Sequence, residues 1–344
     1  MRWSQLRRAA ALVWVVLFTA TTLGTWWWRA RKPQCLPSPH RIPGDNLTAP
    51  LHEDHDDRHL RFMLLWSTSA ASFSLRSRRC IESIFFHHPH AHVRVYSNQL
   101  PRGFFSEFRS LGFDARVVRY NVKRLLMGTP AAPWVANMDE WEKGAYYYSH
   151  VTDAIRLALL YRHGGVYLDT DVLLVRPMTL AAAAGSRMGA GPPPLHDALG
   201  LETYADPRTG LPTLNGAVMA FQRGSRFLWN CLHEFAADYK ADRWSWNGPE
   251  LLTRVQARCA DAVGAAVQVE PPKTFYPLHW DAVTSYADGL HPATDAAMWE
   301  TITSSSYTVH VWNRKTADLT FVQGSLFHKL HNTWLVLPDK ALCS

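Results

Sequence analysis

Residues 150–171 constrain this chain more than any other stretch. They read as a helix whose buried stripe carries Leu157, Leu160 and Tyr161, ended by Gly164-Gly165 and followed by a strand, Val166-Tyr167-Leu168, that delivers Asp169 and Asp171. The two acids are two positions apart, so an extended chain projects them to the same side. Paired carboxylates at a strand end, with further positions left to water or substrate, suit a hard divalent cation that bridges a diphosphate. An isolated pair of this kind is more often a solvated turn. This pair is not isolated. Asp153 and Arg156 stand three apart on one face of the preceding helix, and a charged pair beside two further acids is costly unless a polar ligand shares the site.

The surrounding pattern predicts an α/β fold. Short apolar runs at residues 61–66, 93–96 and 115–118 alternate with stretches of helical length at residues 76–86 and 103–112. That order indicates a parallel sheet, in which ligands collect at the carboxyl ends of the strands. There is no internal repeat. Residues 181–212, rich in Ala, Gly and Pro, read as a surface excursion, a spacer by composition rather than a lid. Asn215-Gly216 beyond it is a strong turn dipeptide. With 344 residues, 47% of them hydrophobic, the chain can bury at least one large core, which excludes a disordered protein or a small disulfide scaffold.

Charge excludes a further class. Lys and Arg exceed Asp and Glu by seven, but Arg2, Arg7, Arg8, Arg29, Arg31 and Lys32 lie in the first 32 residues, where there is no acid. The remainder is within one charge of neutral, so a nucleic-acid partner is not expected. Between those cations, residues 9–28 carry no charge and match the hydrocarbon thickness as a helix, and Trp26, Trp27 and Trp28 suit the interface. This predicts a membrane anchor. A cleaved signal peptide would normally have a shorter apolar core and a small-residue cleavage site. Cations on both flanks leave the orientation open.

Residues 33–59, Pro-rich and then His/Asp-rich, read as a flexible stem. Its histidines, like His87, His88, His90 and His92, read as solvated loops rather than metal ligands. Asn46-Leu47-Thr48 is a glycosylation acceptor only if the body is luminal. The five cysteines lack zinc-site spacings. In a lumen they predict one or two disulfides, with Cys35 as the odd thiol.

The ordered set Asp153-x-x-Arg156, Gly164-Gly165-Val166-Tyr167 and Asp169-Thr170-Asp171 resembles the DXD sugar-binding region of glycosyltransferases with the GT-A fold. Three later blocks are similar to the α-1,4-glycosyltransferase domain. They are Leu214-Asn215-Gly216-Ala217-Val218-Met219-Ala220-Phe221, Trp246-Asn247-Gly248-Pro249-Glu250-Leu251-Leu252-Thr253-Arg254 and Val309-His310-Val311-Trp312-Asn313-Arg314-Lys315. The resemblance runs from about residue 60 to 344. It implies a mixed, mostly parallel sheet flanked by helices, behind an N-terminal anchor. Residues 1–8 would be a cytosolic tail, 9–28 a signal anchor, 29–59 a stem, 60–178 the DXD half and 179–344 the acceptor-side half. Location would be the Golgi membrane, single-pass type II, with the catalytic body luminal. The activity implied is retaining transfer of galactose or N-acetylglucosamine from a UDP-sugar to a glycan or glycolipid in α-1,4 linkage, with Mn2+.

The resemblance also implies roles. Asp171 would bind the metal directly, Asp169 would reach metal or ribose, and His310 would complete the metal shell or pack beside Trp312. Asp153 and Arg156 would contact the donor hexose and phosphate, with Asn215 and Gly216 close to the donor sugar. Trp66 would stack on uracil or be plain core. Trp246, Gly248 and Pro249 would border the acceptor. Glu250 is a catalytic candidate, although its charge departs from the amide of several family members. Retention allows same-face attack or a covalent intermediate on a carboxylate. Competing readings are a GDP-mannose-dependent mannosyltransferase, a catalytically silent Golgi partner and, with fewer ligands than it needs, a metal-dependent hydrolase.

Overall fold

A computed structural model describes residues 34–39, 60–179, 197–206, 210–262 and 265–338. The expected anchor, most of the stem and residues 181–196 of the expected excursion lie outside them. Among the described residues no helix is long and apolar enough to cross a membrane. The chain divides into two units, residues 1–35 and 36–344, and the fold below is that of the second.

The expected strands form where the apolar runs lie, as β1 (Arg61–Leu65), β2 (His92–Tyr96), β3 (Asp114–Val118) and β4 (Gly165–Leu168). The structure adds five that the runs did not predict, β5 (Val172–Leu174), β6 (Ala198–Thr203), β7 (Thr213–Phe221), β8 (Gln268–Glu270) and β9 (Thr308–His310). The main sheet has the order β3-β2-β1-β4-β7-β6-β8, and β5 pairs separately with β9. Strands β1 to β4 run parallel, and the near-continuous burial of β1, β2 and β4 fits the apolar runs that predicted them, whereas β3, at the sheet edge, buries only Ala115. Beyond β4 the sheet is mixed. β7 runs antiparallel to β4 and to β6, so the sheet is mostly, not wholly, parallel, and the segments expected as two halves share one continuous sheet. Helices α1 (Leu75–His87), α2 (Tyr147–His163), α3 (Arg226–Ala237) and α4 (Pro249–Cys259) include the longer ones packed around it.

Three local expectations change. The helix expected over residues 103–112 contracts to Ser106–Ser110, because Phe105 turns into the core and Gly112 adopts φ +88°. Asn215-Gly216 is not a turn but lies within β7, beside a register shift against β6. The Asn215 side-chain oxygen there accepts from the Ala217 amide at 2.7 Å, a local bond that stands in for part of the disturbed ladder. Cys35 is disulfide-bonded, as is Cys259, while Cys80 and Cys231 are buried and not disulfide-bonded. Within the expected stem, Leu36 is ordered: its amide donates to Asn230 at 2.7 Å and its carbonyl accepts from Arg226 at 2.8 Å.

The α2-to-β4 corner depends on its glycines. Gly164 and Gly165 have φ +63° and +115°, and a Cβ on Gly165 would lie 2.6 Å from the Arg61 carbonyl oxygen. Left-handed backbone and a backbone clash would then act together. Gly165→Ala is expected to cost about 3 kcal/mol, read as a lowered urea midpoint with an unchanged slope.

Candidate functional site

The turn between β4 and β5 carries Asp169 and Asp171, and the pairing of β5 with β9 brings the third member. Val172, Leu173 and Leu174 lie opposite His310, Val309 and Thr308. The Val311 amide donates to the Asp171 carbonyl at 3.0 Å, which extends the ladder to the site. A histidine 139 positions away in sequence thus sits 3.2 Å, Nε2 to Oδ2, from the Asp171 carboxylate. The same oxygen accepts from the Asn313 amide at 2.8 Å. One ligating atom from each of Asp169, Asp171 and His310 lies within 4.8 Å of the other two.

Reaching Asn313 requires an unusual backbone. Trp312 has φ +54°, alone among the described non-glycine residues in being positive. Its indole nitrogen donates to the Leu278 carbonyl at 2.8 Å and its ring lies 4.0 Å from that of His310, which hold the strained residue in place. Burial works against charge on His310, yet the adjoining Asp171 carboxylate outweighs it and holds the imidazole pKa above its usual value. Burial likewise disfavours the Asp171 anion, and His310 with the Asn313 amide keeps that carboxyl below its usual range. His310 Nδ1 is buried without a hydrogen-bond partner. Two carboxylates and an imidazole with one orphaned ring nitrogen form a donor set suited to a divalent cation.

Asp169 is oriented from its other side. The Tyr167 hydroxyl donates to it at 2.8 Å, and one Arg156 amino group stands 3.5 Å away. A second Arg156 nitrogen donates to the Gly216 carbonyl at 2.6 Å, and the guanidinium lies 4.8 Å from the Tyr167 ring centre. Arg156 thereby joins α2, β4 and β7. Asp153, one turn before it, is 3.6 Å from the Arg156 Nε, an ion pair too long for a hydrogen bond. Burial, helped by Asp169 and opposed by Arg156, pushes the Asp153 carboxyl up to about 6. Gly216, expected near the donor, and Gly248, expected on the acceptor side, both make room for this pair. A Cβ on Gly248 would lie 2.7 Å from Asp153 Oδ2, and one on Gly216 would lie 3.1 Å from Arg156.

These groups line a cleft of about 320 Å³ that also takes in Asn215, Pro249 and Trp312. A second cleft of about 360 Å³ adjoins it, sharing Asn215, Trp244, Pro249, Trp312 and Arg314. Between them the Asn215 amide donates to Glu202 at 2.6 Å, and burial raises the Glu202 carboxyl above its usual value. A wider hollow of about 510 Å³ under Phe73, Phe104 and Phe105 carries only Arg78 and Glu107 as charges and none of the acids above.

The structure brings together Asp153, Arg156, Asp169, Asp171, Asn215, Gly216, Gly248, Pro249 and His310, and leaves three candidates outside. Trp66 is half-buried against the core, edge-on to Phe73 at 4.8 Å, and lines neither cleft. Trp246 lies between the guanidiniums of Arg243 and Arg254, at 4.2 and 3.8 Å, with its nitrogen bonded to the Asp238 carbonyl. Glu250 corrects the catalytic reading. One oxygen accepts from the Ser245 hydroxyl and the other from Arg243 at 3.3 Å, so the carboxylate braces the loop before α4 and does not face the cleft. Several members were not singled out from the sequence. Tyr167 was legible, two positions before Asp169 on the same face of a strand. Trp244 and Glu202 carried no local signal.

Comparison with known proteins places this arrangement. Residues 74–189 match the glycosyltransferase sugar-binding region containing the DXD motif, and residues 220–333 match the α-1,4-glycosyltransferase conserved region. Mouse lactosylceramide 4-alpha-galactosyltransferase is 30% identical over 279 residues, covering 76% of this chain and 70% of that one. The human enzyme of the same name is 28% identical over 328 residues, covering 90% and 85%. An uncharacterized Arabidopsis thaliana protein is 30% identical over 272 residues, and the match spans 39% of its length. By descent the chain is a glycosyltransferase. It belongs to the α-1,4-glycosyltransferase family whose sugar-binding region carries the DXD motif.

The Asp153 environment fixes a pH dependence. A folded-state pKa near 6, above the unfolded carboxylate value, means that folding disfavours the anion. The cost is absent below the unfolded pKa, grows as pH rises and is complete above the folded pKa. Asp153→Asn removes that dependence. Urea unfolding from about pH 4 to about pH 7 should show the stability difference moving steadily in favour of the variant.

Proposed function

We propose that this chain is a GT-A type retaining glycosyltransferase that moves galactose or N-acetylglucosamine from a UDP-sugar to a glycan or glycolipid acceptor in α-1,4 linkage. The observation that carries the proposal is the convergence of Asp169, Asp171 and His310 on the floor of a cleft that also presents Arg156 and Asp153. Those three residues would hold Mn2+, which supplies neutralisation of the charge that develops on the departing diphosphate.

The chain's own groups do the rest. Asp169 is fixed by Tyr167 and Arg156, so the metal-facing carboxylate needs no reorganisation on binding. Arg156 places a permanent cation beside the cleft, opposite in sign to a phosphate. Asp153, with a pKa near 6, is positioned to accept from or donate to hexose hydroxyls according to its protonation. Trp312 and Leu252 wall the cleft with apolar surface and limit water near the reacting bond. Because the acceptor is the alternative to water, that exclusion favours transfer over hydrolysis.

For the rest of the chain, residues 9–28 as a type II anchor, 29–59 as a stem and 60–344 as the luminal body fit a Golgi location. The disulfide-bonded Cys35 and Cys259 support an oxidising compartment. The glycolipid acceptor is suggested by the name of the mouse and human relatives. A silent partner is the less favoured reading, since keeping Asp153 desolvated beside Asp169 is a stability cost that Arg156 offsets only in part.

The test is transfer by the detergent-solubilised full chain, with Mn2+ and lactose, across a panel of UDP- and GDP-hexoses. One UDP-hexose should be used. Chelation should stop turnover and added Mn2+ should restore it. Asp171→Ala, folded by circular dichroism, should lower kcat/KM by about a thousandfold or more. Activity within tenfold of wild type would overturn the metal assignment, and use of GDP-mannose alone would move the reading to a mannosyltransferase.

A further inference from the structure

The second cleft is more than an extension of the first. Trp244, Trp280 and Trp312 bring three indoles to a hollow of about 360 Å³. Trp244 is 47% exposed and lines both this cleft and the first, so part of its ring is open to a ligand. Two of these indoles are held by cations from the short helix Asn313–Thr316. The Arg314 guanidinium lies 5.1 Å from the Trp244 ring centre, and the Lys315 ammonium 4.8 Å from that of Trp280. Such pairs fix ring orientation, so the aromatic wall is largely ordered before a ligand arrives.

The opposite wall is acidic, and its chemistry narrows the ligand. Glu202 is bonded through Oε2 to Asn215 at 2.6 Å, and among the described residues no donor meets its other oxygen. Asp206 also lines the cleft. Among the described residues two carboxylates and two cations line it, so that lining is formally neutral. A formally charged ligand gains from one pair and is repelled by the other, whereas hydroxyl groups both donate to the acids and accept from the bases. Aromatic faces beside paired donors and acceptors match the two surfaces of a hexose, one of carbon-bound hydrogens and one rich in hydroxyls. Through Asn215 and Trp312 the cleft opens on the groups proposed to hold the donor.

We infer that this cleft is the acceptor subsite and takes the neutral end of a saccharide, stacked on Trp280 and hydrogen-bonded to Glu202. The inference rests on the transferase reading of the adjoining site and adds to it the residues and the charge class of the acceptor. Both substrates would then meet at Asn215, whose amide is bonded to Glu202 and whose neighbour Gly216 bonds Arg156.

The test separates binding from transfer. Saturation-transfer NMR on the full chain in detergent, without cation or donor, reads lactose binding directly. Wild type and Asp171→Ala should give the same signal, although only wild type should transfer. Trp280→Ala should weaken lactose binding at least tenfold and raise the acceptor KM equally, while the donor KM moves less than threefold. Trp280→Tyr, which keeps a ring, should recover most of both and separates lost stacking from misfolding. Methyl β-galactoside should compete with lactose better than methyl β-galacturonide, which differs by a carboxylate. Undiminished lactose binding in Trp280→Ala, no lactose signal in wild type, or equal competition by the galacturonide would overturn the inference. Transfer by Asp171→Ala would instead count against the reading of the adjoining site.

Discussion

The pairing of β5 with β9 is the constraint on which the rest of the site depends. It is a short ladder of three residue pairs, yet it brings His310 to Asp171 and the Trp312-Asn313 corner behind them. A carboxylate and an imidazole buried together are each costly alone and tolerable as a pair, because each charge offsets the desolvation of the other. The ladder is in turn supported by an apolar cluster that includes Leu173, Val309, Val311 and Phe327. A cleft floor assembled from residues 139 positions apart is thus anchored by ordinary strand packing.

Arg156 supplies the second organising element. Its guanidinium reaches Asp169, Gly216 and the face of Tyr167, so helix and sheet cannot shift independently without breaking charge-assisted contacts. Gly216 and Gly248 allow that approach, since a methyl group at either position would meet Arg156 or Asp153 at close range. What remains unfavourable is Asp153, whose carboxyl is pushed up to about 6. Strain of that kind, together with the left-handed Trp312, gathers where a ligand is expected to relieve it.

The parts of this arrangement that were legible in the sequence are those with a local period. An acid and base three apart on a helix declare their face without tertiary knowledge, whereas Asp169 and Asp171, read as sharing one side of an extended chain, are brought to the same cleft by the turn between β4 and β5. His310 was legible only through its surrounding block. What the sequence did not disclose depends on which way a side chain turns at an irregular place. Trp244 and Trp246 are two residues apart in a loop, and only the structure tells the cleft-lining indole from the one between Arg243 and Arg254. Glu250 sits in a motif beside the cleft yet turns back to Ser245 and Arg243. Asn215-Gly216, a turn dipeptide by composition, is held in β7, where Asn215 pairs antiparallel with Gly200 of β6, a tertiary override of local preference.

The central claim is that Asp169, Asp171 and His310 bind one divalent cation that also meets the donor diphosphate. The most direct measurement is pulsed electron paramagnetic resonance on the full chain with one equivalent of Mn2+ and UDP. The account predicts nitrogen coupling from a histidine and phosphorus coupling from the nucleotide on the same ion, with the nitrogen coupling lost in His310→Ala. Protein-bound Mn2+ without phosphorus coupling, or a nitrogen coupling that persists in His310→Ala, would contradict it.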